Sequence, residues 1–177
     1  MTELEKTIAE WIAREQEVRA KLAEPGVIPI SEIGATDGLG MFDRIASGEL
    51  PSIPIGETLS YIAVEWEKGR MVFQGTPKLE HYNPIGTIHG GWSATLLDSA
   101  VACAVQTMLP KGMGYTTLEI KVNYVRGLTD KVGPVRAEGK VIHISRQIAT
   151  AEGKLYDAAG KIYSHATTTC LIFPLPA

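Results

Sequence analysis

Cysteine is scarce: among 177 residues only Cys103 and Cys170 are cysteines, and both sit among small or apolar neighbours. A disulfide framework is thereby excluded as the basis of the fold. Two free thiols suit a reducing compartment, so a cytoplasmic location is expected. Neither cysteine carries a local signature of a Cys/His nucleophile, and both are read as core filler. Net charge is almost absent as well. The formal value is −3, with 17 Lys and Arg residues scattered rather than clustered. That removes any electrostatic reason to expect nucleic acid or an anionic membrane as a partner. The four histidines, His81, His89, His143 and His165, lack metal-ligand spacing, so no metal is expected. No Walker or Rossmann glycine pattern occurs, and no cofactor is expected. Repeats and low-complexity tracts are missing. The N-terminus, MTELEKTIAEW, has no hydrophobic signal region, and nothing in it points to export.

What is present is an ordinary globular composition, 45% apolar and 21% charged, in a length that fits one domain with a tail. An amphipathic helix is predicted over 2–24, with Thr2 and Glu5 as a capping box. Its apolar stripe is Leu4, Ile8, Trp11, Val18 and Leu22, and Pro25-Gly26 ends it. Residues 25–57 are irregular, with prolines at 25, 29, 51 and 54 and a short helix over 41–47. Such a long connection is often a lid over a site. Phe42, Ile45 and Leu50 then face either an acyl or aryl group or the ordinary core, and packing is the favoured reading. Two strands are predicted at 59–67 and 71–77 around a Lys68-Gly69-Arg70 turn. Four more follow at 115–125, 135–144, 148–156 and 162–173, the last two joined by Asp157-Ala158-Ala159-Gly160. In the first of these four, Leu118, Ile120, Val122 and Tyr124 alternate with Glu119, Lys121 and Asn123, as one buried face requires. The chain divides into an extension, 1–58, and a main domain, 59–177.

Between the two groups of strands lies GGWSATLLDSAVACAVQTML, residues 90–109, whose one charge is Asp98. The run has membrane-span length. An acid at its centre and paired glycines at its entry point instead to a buried helix over about 90–108, closed by Pro110-Lys111-Gly112. Burial disfavours an ionised carboxylate, and acids perturbed in this way cluster at functional sites. Gly90 and Gly91 leave backbone N–H groups free at a helix start, where the dipole attracts negative charge. Two strands, one buried helix and four antiparallel strands make an α+β architecture. We expect a sheet of about five or six strands wrapped around one long central helix, with an N-terminal helical extension. A helix this apolar needs cover on nearly every side, and a second subunit is its natural source.

The segment HYNPIGTIHGGWSATLLDSA, residues 81–100, resembles the active-site region of the hotdog-fold acyl-CoA thioesterases. The pattern is that of the phenylacetate-degradation and thioesterase superfamily member 2 type. It reads Asn-Pro-x-Gly-x-x-His-Gly-Gly with an acid nine residues after the histidine. Here those residues are Asn83, Pro84, Gly86, His89, Gly90, Gly91 and Asp98. The strand YTTLEIKVNYVRGL is similar to the family's central strand, and the resemblance extends over 59–173. It implies the hotdog fold and hydrolysis of acyl-CoA or aryl-CoA thioesters. Asp98 would be the general base or nucleophile, and the Gly90 N–H would bind the thioester oxygen. Gly91 would admit the substrate closely, and Asn83 would help hold the carbonyl or the water. His89 would orient its neighbours, and Thr117 would orient water. Coenzyme A, here part of the substrate, needs cations for its phosphates. Arg126, Lys131 and Arg146 are candidates, each equally readable as an exposed solubilising charge.

Gly90 and Asp98 are eight residues apart, about 12 Å along a helix. Acid–base catalysis needs contact at about 3 Å, or one water beyond. One helix therefore cannot bring both groups to one carbonyl, and the acid must come from a second copy. The resemblance implies the same arrangement, a symmetric homodimer with two equivalent sites, paired into a homotetramer. Two other readings stand beside the thioesterase. A hotdog dehydratase or hydratase uses a His/acid pair that this pattern fits poorly. A non-catalytic acyl-CoA-binding protein would have no need of a base at Asp98.

Overall fold

The structure, a computed structural model, describes residues 1–176. Helix α1 (Glu3–Arg19) begins at the expected capping box: Thr2 N–H donates to Glu5 Oε2 at 2.7 Å and Glu5 N–H to Thr2 Oγ1 at 3.2 Å. It ends earlier than its periodicity suggests, because Ala23–Pro25 leaves the helix as a short strand, β1. Its buried residues are Trp11 and Val18, whereas Leu4 of the expected stripe is 45% exposed. Helix α2 (Ile30–Ile33) is a single turn; α3 (Gly38–Ala46) is capped by Asp37, whose Oδ1 accepts from Gly40 N–H at 2.8 Å. Strand β2 (Pro51–Ser52) pairs in parallel with β1, and α4 (Pro54–Thr58) leads into the main sheet.

Among the described residues six strands form that sheet: β3 (Tyr61–Glu67), β4 (Arg70–Gly75), β5 (Met113–Tyr124), β6 (Val135–Ile144), β7 (Ile148–Asp157) and β8 (Ile162–Pro174). All pairings are antiparallel, in the order β3-β4-β6-β7-β8-β5. Helix α5 (Gly90–Gln106) lies on the inner face between β4 and the start of β5 in sequence. Its seat is set by two glycines that face each other across β6 and β7, Gly139 and Gly153. A Cβ at Gly139 would run into the Ala100 backbone, and one at Gly153 would meet Val101 Cγ1 at 2.6 Å. Their absence of side chains lets helix and sheet approach closely. This is the α+β arrangement expected from the pattern of elements.

The extension wraps the β3 side of the sheet. Val18 of α1 packs on the outer face with Ile62, Val64 and Val72. Phe42, Ile45 and Leu50 join the inner core with Tyr61, Leu96, Leu97 and Ala100. All three are buried, which is the packing reading rather than an open lid. No described helix is long and apolar enough to cross a membrane.

Strand β5 departs from its simple alternation. Its register with β8 shifts between Thr117 and Glu119, so Leu118 is the extra residue of a β-bulge. Before the bulge Tyr115 and Thr117 face inward; after it Ile120 and Val122 do. Leu118 and Tyr124, both expected on the buried face, are each 55% exposed. The pleat alternates strictly by twos, so one inserted residue moves the preceding side chains to the other face.

Candidate active site

The loop before α5 is shaped by Asn83. Its Oδ1 accepts from Ile85 N–H at 3.0 Å and Thr87 N–H at 3.3 Å, and its Nδ2 donates to Thr87 Oγ1 at 2.8 Å. Gly86 takes φ of +89°, a conformation that favours glycine. The carboxamide of Asn83 thus holds the turn, the role that its residue type and the following proline suggest by themselves. The loop closes on His89, whose N–H donates to the His81 carbonyl at 2.7 Å. His81 is buried and stacked on Trp92, with ring centroids 5.2 Å apart. Burial holds its imidazole below the usual histidine range, so the ring is neutral and Nδ1 accepts from Lys78 N–H.

His89 is the N-cap of α5, and its Nδ1 accepts from Gly91 N–H at 2.9 Å. This hydrogen bond caps the helix entrance. The Gly90 N–H, one residue earlier, has no acceptor among the described residues. Gly90 itself lines a cavity of about 460 Å³, together with Asn83, Ser93, Tyr124 and Arg126. A free backbone N–H at a helix N-terminus is a ready acceptor of negative charge.

Asp98 lies two turns further along α5 and is half-buried. Thr117 Oγ1 donates to its Oδ1 at 3.4 Å. No cation among the described residues is paired with it. Burial pushes its carboxyl above the usual carboxylate range, and the hydrogen bond from Thr117 offsets part of that shift. The β-bulge at Leu118 is what aims Thr117 inward at this carboxylate. On the next residue, Ser99 Oγ meets the Tyr61 hydroxyl at 2.9 Å, tying β3 to the acid's turn.

The remaining chemistry-bearing residues are quieter. Cys103 is half-buried against Tyr115, and desolvation pushes its thiol up to about 12; Cys170 is buried and raised in the same direction. Neither supplies a thiolate near neutral pH, as core filler should not. Among the described residues no cluster of His, Cys, Asp and Glu could hold a metal ion.

The structure therefore gathers Gly90, Asn83 and Arg126 around one cavity, and Asp98 with Thr117 in a second place on the same helix. Gly91 sits at the entrance, with its N–H already engaged by His89. Lys131 lies in a short turn, Asp130–Val132, and is not among the cavity's lining residues. Arg146 is further off still. It occupies the turn before β7, whereas the cavity adjoins Tyr163, whose hydroxyl donates to Asp157 at the other end of β7. At about 3.3 Å per residue that is roughly 30 Å of strand. Within one chain Arg146 cannot share a ligand contact with Gly90. Tyr124 and Ser93 escaped the sequence reading, because nothing in their spacing separates them from ordinary strand and helix positions.

Comparison with known proteins bears on this arrangement. The model of the thioesterase superfamily matches residues 85–163. A protein of Saccharolobus solfataricus that carries an esterase name is 30% identical over 103 residues, 58% of this chain and 71% of that protein. The 1,4-dihydroxy-2-naphthoyl-CoA hydrolase of Listeria monocytogenes is 28% identical over 106 residues, 60% of this chain and 85% of the hydrolase. Among solved structures, a mutant of the phenylacetic acid degradation protein PaaI from Thermus thermophilus superposes with a TM-score of 0.61. The two are 29% identical, over 67% of this chain and 97% of that one. The chain spans about half the length of the first curated relatives it matches, 50% of each.

Proposed function

The chain belongs to the thioesterase superfamily, and from that premise we propose that it hydrolyses acyl-CoA or aryl-CoA thioesters at a site shared by two copies of the chain. The observation that carries this reading is Asp98, a half-buried carboxylate on an apolar helix with a hydroxyl donor and no cation. A structural acid at that depth would be expected to have a paired charge. A general base gains from the opposite arrangement, because a raised pKa brings the carboxylate closer to the operating pH.

In the proposed reaction the thioester oxygen of a substrate accepts the Gly90 N–H of one protomer. The donor is free and fixed before negative charge develops on that oxygen. Asp98 of the other protomer takes a proton from water as the water oxygen bonds to the carbonyl carbon. The tetrahedral intermediate then collapses, the C–S bond breaks, and coenzyme A leaves as a thiolate that is protonated by solvent. A direct attack by the Asp98 carboxylate on the same carbon, followed by hydrolysis of the anhydride, uses the same two groups. Asn83 supports the loop that carries Gly90, Thr117 and His89 orient their neighbours, and Arg126, which lines the same cavity as Gly90, meets a phosphate of coenzyme A in this reading. The two-copy site follows from the separation of about 12 Å between Gly90 and Asp98 along one helix. The name of one relative, the 1,4-dihydroxy-2-naphthoyl-CoA hydrolase, supports an aryl-CoA substrate, and the wider acyl class follows from the superfamily. Pairing of such dimers into a tetramer is part of the same proposal.

The test is release of free thiol from a panel of short, medium, long and aryl acyl-CoAs. Wild type is expected to turn over at least one class, and Asp98→Asn to lose about a hundredfold or more, the scale of a general base. A folded Asp98→Asn protein with undiminished turnover would sink the mechanism. An inert wild type that still binds acyl-CoA would favour the non-catalytic binding protein.

A further inference from the structure

We infer that Tyr124 is a positioning residue of this site, holding the Gly90 peptide so that its free N–H points at the substrate oxygen. The inference rests on the proposed role of Gly90 and adds a residue that neither the motif nor the fold assigns. Tyr124 is the last residue of β5 and pairs with Ser164 of β8. Its side chain does not enter the core. It reaches over the first turn of α5, where the hydroxyl donates to the Gly90 carbonyl at 3.0 Å.

The ring is as close as the hydroxyl. A Cβ placed on Gly90 would lie 3.0 Å from Tyr124 Cζ, 3.1 Å from Cε1 and 3.3 Å from the phenolic oxygen. The ring therefore rests against the Gly90 Cα, and it requires glycine there although the Gly90 backbone itself does not. This explains a glycine that the helix would otherwise disfavour. It also solves a problem the glycine creates. A residue without a side chain is the loosest choice for holding a hydrogen-bond donor, yet an oxyanion donor acts only if its direction is fixed beforehand. The carbonyl of residue 90 is pinned by the phenol and its Cα by the ring. The N–H on the same Cα then has little freedom left.

Position and exposure agree with this role. Tyr124 lines the same cavity as Gly90 and is 55% exposed within one chain, so burial of the ring is not what it offers the isolated fold. The following backbone is fastened to the same loop, since the Ile88 N–H donates to the Leu128 carbonyl at 2.9 Å. Strand end and helix start thus form one clamp around the donor.

The experiment is a double-mutant cycle read by thiol release on the best wild-type substrate, with thermal unfolding alongside. Tyr124→Phe keeps the ring and loses one hydrogen bond; kcat is expected to fall about tenfold, the upper range for one such bond, with KM within about twofold. Tyr124→Ala is expected to fall further, while neither variant shifts Tm by more than a few degrees. Gly90→Ala keeps the N–H but collides with the ring, so its kcat should drop sharply in wild type. In the Tyr124→Ala background the same change should cost no more than about twofold, a coupling expected of groups in contact. A merely structural tyrosine would move Tm and leave the kcat cycle additive. Active wild type with full kcat in Tyr124→Phe, or with Gly90→Ala equally harmful in both backgrounds, overturns the inference alone. Wild type inert toward every thioester overturns the thioesterase reading and this inference together.

Discussion

The two edges of the sheet are treated in opposite ways. At the β3 edge the extension lies on both faces: α1 is on the outer face over Ile62 and Val64, and α3 lies inside. Arg14 Nε donates to the Val64 carbonyl at 2.9 Å, and Trp66 Nε1 donates to Asp43 Oδ1 at 2.8 Å. At the β5 edge no further strand pairs among the described residues. Leu118, Tyr124 and Val125 are 55%, 55% and 57% exposed there. Open edges invite pairing with another chain, and proteins usually block those they do not use. The edge that is blocked here meets the helix at Ser99 through Tyr61 but carries neither Thr117 nor Tyr124. The edge left open carries Thr117 beside Asp98 and Tyr124 beside Gly90. A strand kept available beside the two groups that need a second copy is what the proposed dimer requires.

The largest expected effect comes from attacking the open edge. Leu118→Glu combined with Val125→Glu places like charges where two copies would meet. Both positions are exposed, so each change should cost the isolated fold about 0.5 kcal/mol or less. Sedimentation should then report a folded monomer, and thiol release should fall by about a hundredfold or more, because base and oxyanion donor no longer meet. An active dimer in this variant would break the contrast between the edges. At the covered edge the expectation reverses. Phe42→Ala empties a buried site in the core and should cost about 3 kcal/mol, lowering Tm by roughly 10 °C. Its kcat at 25 °C should stay within about twofold of wild type. A change in KM that depends on acyl-chain length would instead place Phe42 against the substrate.

The sequence is most informative where a pattern repeats or a motif is contiguous. The capping box of α1, the six strands and the entrance of α5 at Gly90 all follow from local signals, and each stands within a few residues of its expected place. The resemblance marked Thr117 only as a hydroxyl that orients water; its pairing with Asp98 is seen in the structure alone, since no spacing rule joins a helix to a strand nineteen residues away. The bulge at Leu118 left no mark in the alternation of polar and apolar residues, so Leu118 reads as buried; Tyr124 does too, although it ends the strand beyond the core. Long-range placement was the other blind spot. Arg126 and Arg146 look alike as cations near strand ends, and only the topology puts one at the cavity and the other a strand's length away. Tyr124 shares the inward parity of Ile120 and Val122 but ends the strand beyond the core, and it becomes meaningful only once Gly90 lies beneath it.

The smallest effect sharpens the comparison furthest, because it turns the sign of a stability change. Residues at the covered edge, such as Phe42, stabilise the fold. Asp98, on the open side, should do the reverse at neutral pH. Burial raises its carboxyl above the ordinary carboxylate value, so the folded state binds the proton more tightly than the unfolded chain does. Where both states are ionised, above the raised value, the fold carries the full cost of the desolvated charge. As pH falls through that raised value toward the ordinary one, the folded state takes up its proton first and the cost disappears. Asp98→Asn removes the charge at every pH. The variant should therefore melt a few degrees above wild type at pH 7, and the difference should shrink as the pH is lowered below the ordinary carboxylate range. Activity of the wild type should fall in the same acidic window, since the base is lost when Asp98 is protonated. Equal melting temperatures at pH 7, or a gap that widens in acid, would mean that Asp98 is a stabilising acid with a partner in the assembled protein. The open edge would then serve assembly without housing the base.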